Sequence, residues 1–163
     1  MQGSKVIETF GESVQIIAEE LMKNEELCKL LFYADGPLDG KPNVVDKYRN
    51  IMDSHIIINT EVPLGGSEGS YILITVNAFD RNATNTETMD VEIYVDILTP
   101  TNEWRYGRPG LRSFAIAGMV TEAFENIDLK GVGRLHFEGG SLAVTGDSLS
   151  GYTLRFVNYV LGT

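Results

Sequence analysis

Apolar residues recur every three or four positions early in the chain and every second position later. Ile7, Phe10, Val14, Ile17 and Leu21 form one stripe, with Glu8, Glu12, Gln15, Glu19 and Glu20 on other faces. That spacing predicts an amphipathic helix. Gly11 interrupts it at a cost of about 1 kcal/mol relative to alanine, so packing must support the segment. Asn24 predicts a new helix N-cap, followed by Glu25 and Glu26 where the helix dipole favours negative charge. Leu27, Leu30 and Leu31 supply the stripe of this short second helix, with Cys28 beside it as a small buried hydrophobe.

Residues 35–42 (DGPLDGKP) predict a surface loop, and a short helical piece is expected within 44–52. The period then changes to two. Ile56 to Ile58 is β-branched, and Tyr71 to Phe79 is apolar on both faces, as expected of a covered central strand. Pro63 to Gly69 predicts an open turn. Met89, Val91, Ile93, Val95 and Ile97 alternate with Asp90, Glu92, Tyr94 and Asp96, giving a strand with one core face and one wet face. After a loop over 99–111, Ser113 is expected to cap a helix running to Ile127, with Ile116, Val120, Phe124 and Ile127 as its stripe. Strands are expected at 133–138, 142–145 and 152–161. Helical and strand segments without βα repetition predict an α+β fold, a mostly antiparallel sheet packed by an N-terminal and a central helix. The 163 residues fit a single α+β domain, helical over 1–33 and built from sheet plus the 113–127 helix over 54–163.

Composition narrows the functions. The formal charge is −10, which argues against a general duplex-DNA binder. With one cysteine and two histidines, no internal disulfide and no Cys/His metal spacing is expected. No long apolar run or leader pattern predicts a membrane segment. Nucleophilic catalysis would need His55 or His136, both at or inside predicted strands, and no G-x-S-x-G elbow is present. The Gly-rich stretch 64–70 leads into a strand and lacks a P-loop lysine. Asp90, Glu92 and Asp96 do not wrap a cation as a loop would. Asn82-Ala83-Thr84 has the form of a glycosylation acceptor, relevant only in a secretory context. No catalytic residue, cofactor or metal ligand is therefore expected. The enzyme alternative is a small hydrolase using His136 and a carboxylate.

The interaction signal is stronger. Trp104, Arg105, Tyr106, Arg108 and Arg112 fall within nine residues and include the only tryptophan. These residue types are enriched at binding hot spots, so the loop is a candidate protein–protein interface. A local cationic loop on an acidic subunit suits head-to-tail contacts between copies.

A wider motif order supports that direction. Asn24-Glu25-Glu26-Leu27-Cys28-Lys29-Leu30-Leu31-Phe32-Tyr33 follows the first helix, and the strand Val91 to Asp96 comes next. Arg108-Pro109-Gly110-Leu111-Arg112-Ser113-Phe114-Ala115-Ile116-Ala117-Gly118 then enters a helix. Leu129-Lys130-Gly131-Val132-Gly133-Arg134-Leu135-His136-Phe137 and Leu149-Ser150-Gly151-Tyr152-Thr153-Leu154 open the final strands. In this order the chain resembles the neck and tail-completion proteins of tailed bacteriophages, the tail-terminator-like group. The resemblance implies a non-enzymatic virion protein assembled in the host bacterial cytoplasm. It implies a homo-oligomeric ring, expected to be hexameric, that meets the tail tube and neck or connector proteins. Asp90, Glu92 and Asp96 would then be candidates for the lumen, past which DNA slides without specific binding. The alternative within the same class is a head-closure, sheath-associated or baseplate subunit.

Overall fold

The structure, a computed structural model, describes residues 2–59, 69–85, 87–144 and 148–159. Chain order gives α1 (Gln2–Met22), α2 (Glu25–Phe32), α3 (Lys47–Asn50), β1 (Ile56–Ile57), β2 (Tyr71–Arg81), β3 (Met89–Pro100), a 3₁₀ turn (Thr101–Glu103), α4 (Arg112–Asn126), β4 (Asp128–Leu129), β5 (Gly133–Arg134), β6 (His136–Val144) and β7 (Leu149–Val157). The main sheet is five-stranded in the order β1-β2-β3-β7-β6, and β4 with β5 forms a separate small ladder. All main-sheet neighbours are antiparallel except β1 and β2. This is the expected α+β class.

The two periodicities meet in one core. Phe10, Val14, Ile17 and Leu21 of α1, the leucines of α2, and Ile116, Val120 and Phe124 of α4 pack with Ile72, Ile74, Val91, Ile93, Val95, Ile97, Leu154 and Phe156. Because alternate strand residues point to opposite faces, that list assigns the helices to one side of the sheet. The other side carries a smaller cluster of Ile57, Tyr71, Leu73 and Leu98. Thus β2 is covered on both faces only over its first residues, and its later half becomes exposed.

A local signal accounts for the start of α2. The Asn24 side chain accepts the Leu27 amide at 3.0 Å and caps α2 as expected. Cys28 is buried, with its Sγ 3.3 Å from Met22 O. Its thiol is raised to about 11, chiefly by burial, which keeps it protonated and inert.

Three boundaries differ from expectation. The N-cap of α4 is Leu111 rather than Ser113, and Ser113 lies inside the helix, fully buried. Its hydroxyl donates to Thr99 at 3.4 Å, so its polarity satisfies an interior contact. The segments expected at 133–138 and 142–145 are instead split earlier, into β5 and a long β6 that continues through Gly139 and Gly140. A ladder with β7 holds those glycines, and a bulge between Phe137 and Gly139 absorbs one residue. The last strand begins at Leu149, three residues before Tyr152, and is followed to Val157. Most of the turn expected over 63–69, Thr145, and the expected strand end at 160–161 lie outside the described residues.

Candidate functional site

The loop after β3 divides its five candidate residues between interior and surface. Arg112 opens α4 and is 0% exposed. Its Nε and Nη2 donate to Leu30 O at 3.0 and 2.6 Å, Nη2 also donates to Tyr33 O, and Nη1 donates to Ala34 O at 2.9 Å. These are the carbonyls at and just past the C-terminal end of α2, the negative end of its dipole. Glu103, 3.5 Å from Nη1, supplies the counter-charge. Burial lowers the Arg112 pKa, and the Glu103 carboxylate acts in the opposite direction. The planar fork suits several convergent acceptors, so Arg112 locks α2, α4 and the 3₁₀ turn together. Contrary to the expectation of an interface residue, Arg112 is an interior anchor with no exposed surface in this fold.

The other four remain at or near solvent. Arg105 and Arg108 are exposed, whereas Trp104 and Tyr106 are half-buried. Trp104 donates its indole N–H to Thr99 O at 3.3 Å, and its ring centre lies 6.3 Å from that of Tyr152. Phe114 stands 4.6 Å from the same Tyr152 ring and is 56% exposed. Phe114 was recognisable as off the α4 stripe. Tyr152 joins the group only through the sheet register. Trp104, Tyr152 and Phe114 therefore form a surface aromatic row in which Tyr152 comes from far along the chain. Beside it, Asp35, Asp39, Glu103 and Arg105 line an open recess of about 440 Å³.

The acidic pleat of β3 lies on the helix-free side of the sheet, where its residues are half-buried. Asp90 accepts Asn82 Nδ2 at 2.8 Å. Glu92 accepts Asn77 at 2.9 Å and Arg155 at 3.1 Å. Asp96 accepts the Thr153 hydroxyl at 2.5 Å. The Arg155 hydrogen bond, followed by that of Tyr94, holds Glu92 below the ordinary carboxylate range. Each carboxylate thus has a donor, and one cation sits among them. Thr153 and Arg155 come from β7, so their pairing with β3 depended on a register that local spacing does not encode. Asn82 also caps a turn through Thr84 N and Asn85 N at 2.9 and 2.7 Å, which gives the Asn-Ala-Thr motif a structural role.

The two histidines are well separated in character. His55 is buried, with Nδ1 2.9 Å from Ser70 O and its ring stacked 5.4 Å from Tyr71. Burial lowers its pKa. His136 is exposed at the start of β6. Ser70 and Thr99 share a hydroxyl contact of 2.9 Å, extending a buried polar chain from Ser113 toward His55.

Against this geometry, the model of the YomW family matches residues 24–158. The chain belongs to the YomW family. That family is named after a gene product from a Bacillus phage region, which suggests a phage-related protein. No match to a curated protein accompanies it. The YomW match covers α2 through β7, including the cationic loop and both faces of the sheet. No described helix of this YomW-family chain is long and apolar enough to cross a membrane.

Proposed function

We propose that this YomW-family chain is a virion structural subunit, a tail-terminator or neck-ring protein that acts by docking and makes or breaks no covalent bond. The observation that carries this reading is the exposed Arg105 and Arg108 beside the Trp104–Tyr152–Phe114 row on a chain of net charge −10. Large aromatic contact flanked by arginine suits a desolvated protein interface, and the acidic remainder of a neighbouring subunit complements it. The proposed assembly is a ring, hexameric by the family resemblance, contacting tail tube and neck or connector proteins.

In this arrangement the open face with Asp90, Glu92 and Asp96 borders the channel. Its exposed charge is predominantly negative, and Arg155 is engaged by Glu92, so phosphate would find few available cations. DNA would pass without being gripped.

The test is assembly of the purified chain with tail tubes, followed by particle imaging. Rings at the tube end are expected for the wild type, and Arg108→Glu should abolish them while leaving the thermal melt within about 0.5 kcal/mol. A chain that never joins tubes overturns the tail assignment. Density at head-closure, sheath or baseplate positions would favour another structural subunit, and turnover lost on His136→Ala would favour the hydrolase.

A further inference from the structure

The main sheet is open along both margins. On the outer side of β2, β1 pairs only Ile72 and Leu73, and Asn59 O accepts the Thr75 hydroxyl at 3.3 Å. From Asn77 to Arg81, no described strand lies on the side away from β3. At the other margin, β6 pairs with β7 alone among the described strands. Its stretch beyond the bulge contains no Lys, Arg or Pro, the residues that ordinarily blunt an exposed edge.

The two margins differ in shape. Phe79 lies opposite Val91 and Arg81 opposite Met89, so both stand on the helix-bearing side of β2. There α1 leaves a hollow of about 230 Å³ beside the strand, lined in part by Val6, Ile7, Phe79 and Met89. Ile7 and Phe79 are each 50% exposed. On β6, Leu142 lies opposite Tyr152. It also stands on the helix-bearing side, because Leu154 and Phe156 of the same alternation enter the core. Leu142 is 63% exposed. One margin thus carries a hollow, the other an apolar knob.

We infer that copies of this chain join head to tail, β6 of one pairing antiparallel with the Asn77–Arg81 edge of β2 on the next, so that Leu142 fills the hollow beside Phe79. The direction follows from the topology. Each step from β2 through β3 and β7 to β6 is antiparallel, so β6 runs opposite to β2. Copies related by rotation, with their strands in one sense, therefore meet antiparallel and keep every helical layer on the same side. Setting Phe79 opposite Leu142 pairs Ala78 with Ala143, Asp80 with Ser141 and Arg81 with Gly140. Core-side residues then face core-side residues. Arg81 is exposed and has no ion pair among the described residues. Gly140 leaves its side chain room, and the neighbour's exposed Glu138 lies two positions on. Self-pairing serves less well: β2 against β2 sets hollow against hollow, and β6 against β6 leaves Ile7 and Phe79 uncovered. Tyr152, at the centre of the aromatic row, is Leu142's own cross-strand neighbour, so the row borders this contact. Head-to-tail contacts form rings where the rotation closes and open filaments where it does not. This contact supplies the joint of the proposed ring and rests on that reading only for closure.

Paired cysteines test the register, since the native Cys28 is buried and inert. Facing positions across an antiparallel pair lie within disulfide reach. Ala78→Cys co-expressed with Ala143→Cys should oxidise to a covalent dimer, as should Phe79→Cys with Leu142→Cys. Each variant alone should stay uncrosslinked, and the Ala78→Cys/Ala143→Cys double variant should give a ladder of covalent oligomers. In sedimentation velocity the wild type should associate with rising concentration. Leu142→Lys should weaken this about tenfold or more, since it places an ammonium group beside Phe79 and Arg81. Its melting temperature should match the wild type, given the exposure of Leu142. A wild type monomeric at every concentration, association without a crosslink in either combination, or a crosslink formed by any one variant alone would each overturn the contact. Crosslinked rings or filaments that never join tail tubes would overturn the virion reading and leave the contact standing. Wild-type rings on tail tubes with neither combination crosslinking would do the reverse.

Discussion

Arg112 and Arg108 lie four positions apart and do different work. Arg112→Ala would leave the Leu30, Tyr33 and Ala34 carbonyls and the Glu103 carboxylate without their fork. The expected cost is about 3–5 kcal/mol, as for breaking a buried ion pair. Arg112→Lys should recover only part of it, because an ammonium cannot span the same acceptors. Chemical denaturation of both variants beside Arg108→Ala checks this, with Arg108→Ala expected within about 0.5 kcal/mol of wild type. At this scale the sequence is an incomplete guide. Arg105, Arg108 and Arg112 look alike in a Gly- and Pro-containing loop, and only the approach of the α2 end, dozens of residues earlier, decides which guanidinium is interior.

His55 gives a second residue-scale prediction. Burial between Phe32 and Tyr71, together with the nearby Arg112 cation, disfavours its charged form and lowers its pKa below the ordinary 6.5. An unfolded chain therefore takes up this proton at a higher pH than the folded one. Stability is present above about pH 6.5 and is lost as pH falls toward the depressed folded value. Melting temperatures measured from about pH 7.5 to 5.5 should decline, and His55→Gln should flatten that decline even if it lowers the starting value.

Among the elements, the helices were the most legible because their stripes are sustained and Asn24 marks a start by its own side chain. The α4 start was less so. Ser113 has the chemistry of an N-cap, but tertiary contact with Thr99 draws it inward and leaves Leu111 at the boundary. The β6 boundary was obscured by Gly139-Gly140, which reads as a break but is held in register by β7. Gly151 makes that register intelligible. A Cβ there would fall 1.7 Å from Ile97 O, so β3 and β7 approach as closely as they do only without a side chain. Gly151→Ala is expected to cost about 3 kcal/mol or more through forced backbone displacement. A denaturation curve checks it, and a loss within about 0.5 kcal/mol would contradict the close approach.

At the scale of the whole molecule, the α+β class followed from the two hydrophobic periods, whereas strand order did not. Nothing local in Tyr152 to Phe156 indicates that this segment lies between β3 and β6, and the aromatic row and the Glu92–Arg155 pair both depend on that placement. The interior position of β7 also has a consequence for biosynthesis. The ribosome delivers this segment after every partner it joins, so a nascent chain halted before it would hold the β1-β2-β3 ladder and an unpaired β6. Such an intermediate would offer sticky backbone on either side of the gap and be a natural target for chaperones. The finished sheet thus becomes available in one nearly all-or-none event, which delays association with other components until β7 itself has been made.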